Sequence, residues 1–184
     1  MTVNPSIRYA GVFIASLLWC SQLSAQMKPP IAPEVALNQM VLLPTGTFDM
    51  GWPDTTVGPY GDAWFIDQQP QHSVTIDAFY LDRTEVSVAW FSLFLTHAGG
   101  EYYYHSSQPI DRVRSGYLPA LGAENLAMSG VTWAAARDYC RWAGKRLPTE
   151  AEFEYAARGQ AGRNYPWSEG GPNCERANYF TGAS

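Results

Sequence analysis

The sequence contains few of the residues from which metal and redox centres are usually built. Among its 184 residues are 3 histidines and 3 cysteines. The histidines, His72, His97 and His105, stand far apart, and no tight pair such as C-x₂-C or H-E-x-x-H is present. Because zinc sites usually take their ligands from such pairs, the sequence argues against a metal shared by these histidines.

Basic residues are also scarce, since 12 Lys and Arg against 17 Asp and Glu give a net charge of −5. No basic run or stripe is present that would follow a phosphate backbone, which argues against nucleic acid as a partner. A glycine-rich phosphate loop is missing as well, and no Ser-His-Asp arrangement can be argued from the spacing. The hydrophobic share of 46% is nevertheless ample for a packed core, so disorder is excluded.

Only one apolar run is long enough to suggest targeting, and it lies near the N-terminus. Arg8 precedes the apolar residues 9–20, and small residues follow up to Ala25, which is the pattern of an export signal. A membrane anchor is the alternative, but the run is too short to span a bilayer and no stop-transfer pattern follows. Lipid attachment at Cys20 is a second alternative, which the bulky Trp19 directly before it disfavours.

We therefore expect an exported protein, periplasmic or secreted, without a transmembrane segment. Residues 1–25 form the predicted signal peptide, and residues 26–37 form an extended lead-in with three prolines. Residues 38–184 form one predicted domain, as expected for a chain of this length. No internal repeat or low-complexity segment divides it.

Hydrophobic periodicity predicts short strands and three helices joined by much irregular backbone. Val74, Ile76 and Ala78 alternate with polar residues, which is the two-residue period of a half-buried strand. Thr84 can cap a first helix. Such content indicates an α+β domain. The predicted elements are strands at 40–43, 47–50 and 72–80, helices at 85–97, 133–143 and 150–158, and irregular segments at 52–71 and 101–129.

The first two predicted helices carry apolar residues at spacings of three and four, which predicts the face that each one buries. The second helix is predicted to bury Trp133, Ala136, Cys140 and Ala143. The first is predicted to bury Val86, Trp90, Leu93, Phe94 and, in part, His97.

The segment from Gly144 to Gly159 combines a helix stop, a turn and a complete short helix. Gly144 can take the left-handed conformation that ends the preceding helix, and Pro148 stiffens the turn. Thr149 is a good N-cap, and Glu152 three residues later completes a capping box. Gly159 then ends the third helix.

This segment closely resembles the signature of the formylglycine-generating enzyme family, also called the sulfatase-modifying-factor domain. Other blocks match in the same order, and the resemblance extends from about residue 38 to the last residue. It implies a C-type-lectin-like α+β fold with low regular content, and the oxidation of a substrate cysteine to formylglycine as the family activity. The other blocks are Met40–Pro44, Gly46–Gly51, Gln69–Val74, Phe79–Ser87, Val131–Trp133, Asp138–Gly144, Tyr165–Trp167 and Ala177–Tyr179.

The resemblance also bears on copper. The family oxidases hold copper(I) with two cysteines of their C-terminal part, which we expect to be missing from this chain, so that no catalytic residue is assigned and copper is not expected to bind here. Soft thiolates do select copper(I), but Cys140 lies on the inner stripe of a predicted helix and Cys174 in a loop. The family cysteine at the position of Cys140 commonly pairs with one in that C-terminal part. The sequence leaves open whether Cys140 and Cys174 join each other.

Calcium is the cofactor that the resemblance implies most directly. In the family, the asparagine of the Ala177-Asn178-Tyr179 block donates its side-chain oxygen to a structural calcium, and the next residue contributes its carbonyl. Hard oxygen donors of this kind suit calcium. Asn178 and Tyr179 are therefore the expected metal ligands, with the remaining ligands supplied by the C-terminal part; an ordinary turn asparagine is the alternative.

Charged residues around the signature have two interpretations. Lys145 and Arg146 with the nearby carboxylates invite a catalytic role, but we favour a framework of helix caps and ion pairs. Asp82 and Glu85 are expected to flank the start of the first helix, where acids interact well with the helix dipole. Glu85 is also a candidate for the family's substrate groove.

Three functions remain open. The first is an exported oxidase that forms formylglycine, the second is a family enzyme with other oxidative chemistry, and the third is a non-catalytic, lectin-like module for binding or cell-envelope assembly. Departures from the family pattern at Val88, Phe153 and Ser168 mark a divergent member. The implied partners are a protein or peptide substrate and the missing C-terminal part of the same domain, without which we expect the chain to be inactive and poorly stable.

Overall fold

Mixed helices and small sheets place the chain in the predicted α+β class. The computed structural model describes residues 8–9, 39–53, 68–167, 170–171 and 173–177. No helix in this part of the chain is long and apolar enough to cross a bilayer. The chain divides into two compact units, which in the described part comprise residues 8–9, 39–45 and 77–149 for the first and residues 46–53, 68–76, 150–167, 170–171 and 173–177 for the second.

The first unit contains a three-stranded sheet. Its central strand is β5 (Phe79–Asp82), which pairs antiparallel with β2 (Met40–Leu43) and parallel with the two-residue strand β1 (Arg8–Tyr9). The prediction of a strand at 40–43 is confirmed. Phe79 at the start of the central strand is completely buried, so this strand faces the core.

Two helices, α1 (Val88–Ala98) and α2 (Trp133–Trp142), supply most of the core of the first unit. The predicted cap Thr84 is wrong, because Ser87 is the N-cap and its Oγ accepts the Trp90 N–H at 3.4 Å. The buried face is therefore rotated from the predicted one. Its members are Val88, Phe91, Ser92, Phe94 and Leu95, whereas His97 is not among them.

The segment predicted as irregular at 101–129 contains regular structure, so that prediction is wrong. A short 3₁₀ helix (Gly100–Tyr102) follows α1, and the strands β6 (Ile110–Val113) and β7 (Gly116–Pro119) form an antiparallel hairpin. The hairpin is held to α1 by Thr96, whose Oγ1 accepts the Tyr117 N–H at 3.0 Å. The hairpin is thus stabilised by a contact with a helix that is distant in the sequence, which is why the hydrophobic pattern of the segment itself did not predict it.

The second helix begins as predicted, and Ala136 and Cys140 are buried as predicted, whereas Trp133 and Ala143 are not. Trp133 was expected inside, yet it is 69% exposed and stacks on Arg137, 5.3 Å from the guanidinium carbon to the ring centroid. A first-turn tryptophan can lie beyond the edge of the core that its helix covers. The buried residues of α2 are Ala135, Ala136, Tyr139, Cys140 and Trp142.

The second unit is built from an antiparallel pair of strands, β3 (Gly46–Met50) and β4 (His72–Ile76), and the helix α3 (Glu150–Arg158). Phe48 and Tyr155 pack together with ring centroids 5.4 Å apart. The predicted bounds of α3 are confirmed, and Gly159 has the expected positive φ of 63°.

The single strand predicted over 72–80 is wrong. β4 ends at Ile76 in the second unit, and β5 begins at Phe79 in the first. Between them, the Ala78 N–H donates to Thr45 Oγ1 at 3.0 Å instead of to a strand partner. The alternating pattern continues through this break, so periodicity alone could not locate it.

Candidate functional site

A groove of about 500 Å³ lies in the first unit, where the chain passes from β5 into α1. Its wall is the segment Arg83–Ser87, and further side chains come from the residue before β2 and from the loop that follows β7. We call it the Glu85 groove. It is lined by Gln39, Arg83, Thr84, Glu85, Ser87, Trp90, Asn125 and Ala127.

Backbone hydrogen bonds hold the wall of the Glu85 groove in place. The Val88 N–H donates to the Leu126 carbonyl at 2.9 Å, and the Met128 N–H donates to the Val86 carbonyl at 2.8 Å. Ser87 and Ala127 form an isolated antiparallel bridge between these two bonds. The groove is therefore formed by backbone segments that the sequence places about forty residues apart.

Glu85 is the acid of this groove. The side chain is exposed, but the surrounding protein removes part of the water from its carboxyl, and this desolvation raises the pKa above the ordinary value. The expectation that Asp82 and Glu85 interact with the start of the first helix is wrong, because α1 begins only at Val88 and has no acid in its first turn. With the Arg83 guanidinium as donor, the Glu85 carboxylate as acceptor and the Trp90 ring as apolar surface, the groove can bind an extended polar ligand.

Asp82 instead belongs to a buried ion pair next to the groove. Its Oδ1 lies 2.5 Å from Lys145 Nζ, and the two side chains are 10% and 12% exposed. Burial raises the pKa of Asp82, and this effect exceeds the opposing attraction of Lys145. Complete burial, together with the same carboxylate, raises the pKa of Tyr139. Lys145 thus forms an ion pair of the kind that the framework interpretation expects.

A second groove, of about 490 Å³, lies in the second unit. Two of its charged groups, Glu154 and Arg158, serve the fold: Glu154 Oε1 accepts the Gly51 N–H at 2.9 Å, and Arg158 Nη1 donates to the Gly51 carbonyl at 3.0 Å. Glu154 and Arg158 also pair with each other, and the Arg158 guanidinium carbon lies 5.3 Å from the Trp52 ring centroid. These contacts hold a backbone turn in place. The charged groups of Glu154 and Arg158 are therefore already engaged in contacts within the protein.

The two described cysteines lie in different surroundings. Cys140 is completely buried, whereas Cys174 is exposed and free, so the two do not join each other. Among the described residues no three His, Cys, Asp or Glu side chains lie together as a metal site would require. Cys140 is disulfide-bonded and is therefore not a free thiolate, so Cys140 and Cys174 do not form a pair of thiolates for copper. Asn178 and Tyr179, the expected calcium ligands, lie outside the described residues.

Several groove residues were missed from sequence. Glu85 was a candidate, but Gln39 and Asn125 carry no local signal of function. Trp90 was predicted to lie in the core and instead lines the groove. The backbone pairing with the segment at 124–128 brings Asn125 to the groove, and the bond from the Arg83 N–H to the Gln39 carbonyl brings Gln39. No short motif encodes such pairings.

Comparison with known proteins gives a consistent picture. Residues 26–183 match the family described as "Sulfatase-modifying factor enzyme 1-like domain". The chain is 34% identical to the formylglycine-generating enzyme of Mus musculus over 167 residues, and 34% identical to that of Bos taurus over 164 residues. These matches cover 72% and 71% of this chain but only 43% and 42% of the relatives, so the chain spans less than half of their length.

A third relative carries a different name. The chain is 35% identical over 159 residues to a protein named serine/threonine-protein kinase Pkn1 from Chlamydia trachomatis serovar L2. The match covers 82% of this chain and 24% of that protein. The similarity therefore concerns one segment of a much longer chain.

Proposed function

The chain belongs to the family of sulfatase-modifying factor enzyme 1-like domains, and from that premise we propose that it serves in an exported enzyme that oxidises a substrate cysteine to formylglycine. Its similarity to the mouse and bovine formylglycine-generating enzymes supports this activity. The N-terminal apolar run supports export. The fold proposed for the whole domain is the C-type-lectin-like fold of the family.

Within that function, we assign to this chain the binding of the substrate. The observation that carries the assignment is the Glu85 groove, in which an exposed carboxylate with a raised pKa lies in the same groove as an arginine and a tryptophan. Such a groove can accept backbone N–H groups at Glu85 and donate to carbonyls from Arg83. The substrate class is an extended peptide that carries the cysteine.

The redox chemistry is assigned to polypeptide other than the described residues. In the family, the copper-binding cysteines lie in the C-terminal part; of the two described cysteines of this chain, Cys140 is disulfide-bonded and only Cys174 is a free thiol. Asn178 and Tyr179 are proposed to give two oxygen ligands to a structural calcium, which needs further ligands from the same C-terminal part. The chain by itself is accordingly expected to bind substrate without oxidising it.

The test uses a sulfatase-motif peptide that contains its cysteine, with tryptophan fluorescence, to which Trp90 in the groove contributes, as the signal for binding. Glu85→Gln should weaken binding about tenfold, since a hydrogen bond to a charged acceptor contributes roughly 1.5 kcal/mol or more. Glu101→Gln is the matched control, because it makes the same change at an exposed carboxylate that pairs with Arg112. Equal affinities of all three proteins would refute the assignment of the groove.

Mass spectrometry of the same peptide tests the activity. The chain alone should leave the cysteine unmodified, whereas the product of the complete reading frame should form formylglycine in the presence of oxygen and copper. Formylglycine made by the chain alone would contradict the proposed division of labour. No product from the complete reading frame would contradict the proposed activity.

A second candidate is a non-catalytic binding module of the cell envelope. This candidate is favoured by the match to one segment of a protein that is named a kinase. A similar domain in that protein is part of a longer chain whose name gives a different activity. A family enzyme with different oxidative chemistry is a variant of the first proposal. Peptide binding without formylglycine formation by the complete product would select the module.

A further inference from the structure

The wall of the Glu85 groove begins directly after Asp82, the last residue of β5. Its far end is tied by the two backbone bonds of Val86 and Val88 described above. At its near end Asp82 pairs with Met40 in the ladder between β5 and β2, and the Arg83 N–H donates to the Gln39 carbonyl at 2.8 Å. The side chain of Asp82 provides a further attachment at this end, through its ion pair with Lys145.

Lys145 is itself held rigidly by the end of α2. Its N–H donates to the Cys140 carbonyl at 2.8 Å, and the Gly144 N–H donates to the Arg141 carbonyl at 3.0 Å. Together with the positive φ of 72° at Gly144, these two bonds form a Schellman motif. Since Cys140 is completely buried, the motif fixes the base of the Lys145 side chain to the core.

The pair depends on both partners. Asp82 and Lys145 are almost excluded from water, and a carboxylate in such surroundings is costly unless a cation lies next to it. Removal of the ammonium group would leave Asp82 either to take up a proton or to turn toward water. Either change frees the side chain of the residue that immediately precedes Arg83 and leaves the near end of the wall with its backbone bonds alone, whereas the far end of the wall is unaffected.

From this geometry we propose that Lys145 is a positioning residue of the Glu85 groove, which holds the near end of the wall through Asp82. Lys145 does not line the groove, so it acts on the ligand only through the wall. The inference rests on the proposed function for its ligand, a cysteine-containing peptide. The rigidity of the wall can be measured without any ligand.

The experiment compares Lys145→Met with Arg141→Met in the whole chain. Arg141→Met is the matched control, because it removes a cation from the same helix end and breaks a more exposed ion pair with Asp138. We expect Lys145→Met to speed amide hydrogen exchange at residues 83–87 at least tenfold and to weaken peptide binding about five- to tenfold. Arg141→Met should change both values less than about twofold.

A double variant separates positioning from a general need for charge. Asp82→Asn combined with Lys145→Met removes both buried charges at similar volume, a change that proteins often tolerate. It should restore peptide affinity to within about threefold of the original chain. If Lys145→Met does not fold, Asp82→Asn alone is compared with the original chain and should raise exchange at residues 83–87 several-fold.

The outcomes are distinguishable. Faster exchange spread evenly over the first unit, or no change at residues 83–87 relative to Arg141→Met, would overturn the positioning role. A chain that binds no peptide but shows the local increase in exchange would contradict the proposed function and support the positioning role. Weaker binding together with the local increase supports both.

Discussion

Phe94 lies at the centre of the aromatic core of the first unit, which makes it the most informative residue to truncate. It is completely buried. Its ring centroid lies 5.0 Å from that of Tyr103, 5.4 Å from Phe91 and 5.6 Å from both Tyr139 and Trp142. Substitution by alanine deprives all of these rings of a shared packing partner at once.

We expect Phe94→Ala to lower the free energy of unfolding by about 3–5 kcal/mol, the usual cost of truncating a buried aromatic residue. The aromatic pairs that Phe94 forms, each worth roughly 0.5–1.5 kcal/mol, place the value near the upper end. Phe94→Leu retains most of the volume and should cost about 1–2 kcal/mol, since it removes fewer buried carbon atoms. Neither variant keeps an aromatic ring at this position, so the difference between them reports the cavity.

Urea unfolding followed by tryptophan fluorescence and far-ultraviolet circular dichroism measures these values. Tyr102→Ala is the control, because Tyr102 is 78% exposed and its truncation should change stability by no more than about 0.5 kcal/mol. If the original chain is too unstable for Phe94→Ala to fold, Phe94→Leu still gives the comparison. A cost for Phe94→Ala no larger than that for Tyr102→Ala would refute the assignment of this core.

Two further predictions concern charge and space. Hydrogen bonds from Arg137 lower the pKa of Asp138, so the stability that Asp138 contributes should be lost as the pH falls through the folded-state pKa of Asp138. Burial raises the pKa of Asp82, so the stability that Asp82 contributes should be lost as the pH rises through the folded-state pKa of Asp82. From about pH 3 to about pH 6, the stability difference between the original chain and Asp138→Asn should therefore grow, and the difference between the original chain and Asp82→Asn should shrink. Parallel curves of stability against pH for the three proteins would contradict the assigned causes. Gly100→Ala should cost about 1–3 kcal/mol, because its Cβ would lie 2.4 Å from the Tyr117 ring and 2.8 Å from the Leu95 carbonyl oxygen. Thermal unfolding measures it against Gly171→Ala, where the new Cβ meets no atom within 4 Å, and equal transitions would disprove the contact.

Short-range signals in the sequence were sufficient for the family and for the helix ends near the signature. Gly144 and Gly159 have positive φ, and α3 spans the predicted residues 150–158. Caps and stops act within one helical turn, so a sequence of a few residues is enough to specify them. The charge balance and the match to the family likewise need no tertiary contact.

Helix starts and buried faces were decided by the tertiary structure. Thr84 and Ser87 are both good caps, and Ser87 begins α1 because the neighbouring backbone bonds to the segment at 124–128. Trp133 has the apolar character of a core residue, yet it lies on the exposed side of the first turn of α2, where Ala135 and Ala136 are buried instead. The hydrophobicity of a residue does not determine where in the sequence its packing partner lies.

The candidate site shows the same division most clearly. Glu85 could be named as a candidate from the family pattern, and a structural role for Lys145 could be proposed from the local framework of helix caps and ion pairs. The pairing of Lys145 with Asp82, 63 positions earlier, and the arrival of Asn125 beside Glu85 come only from the folded chain. Contacts between distant positions depend on where whole strands and helices pack, and no local pattern of residues contains that information.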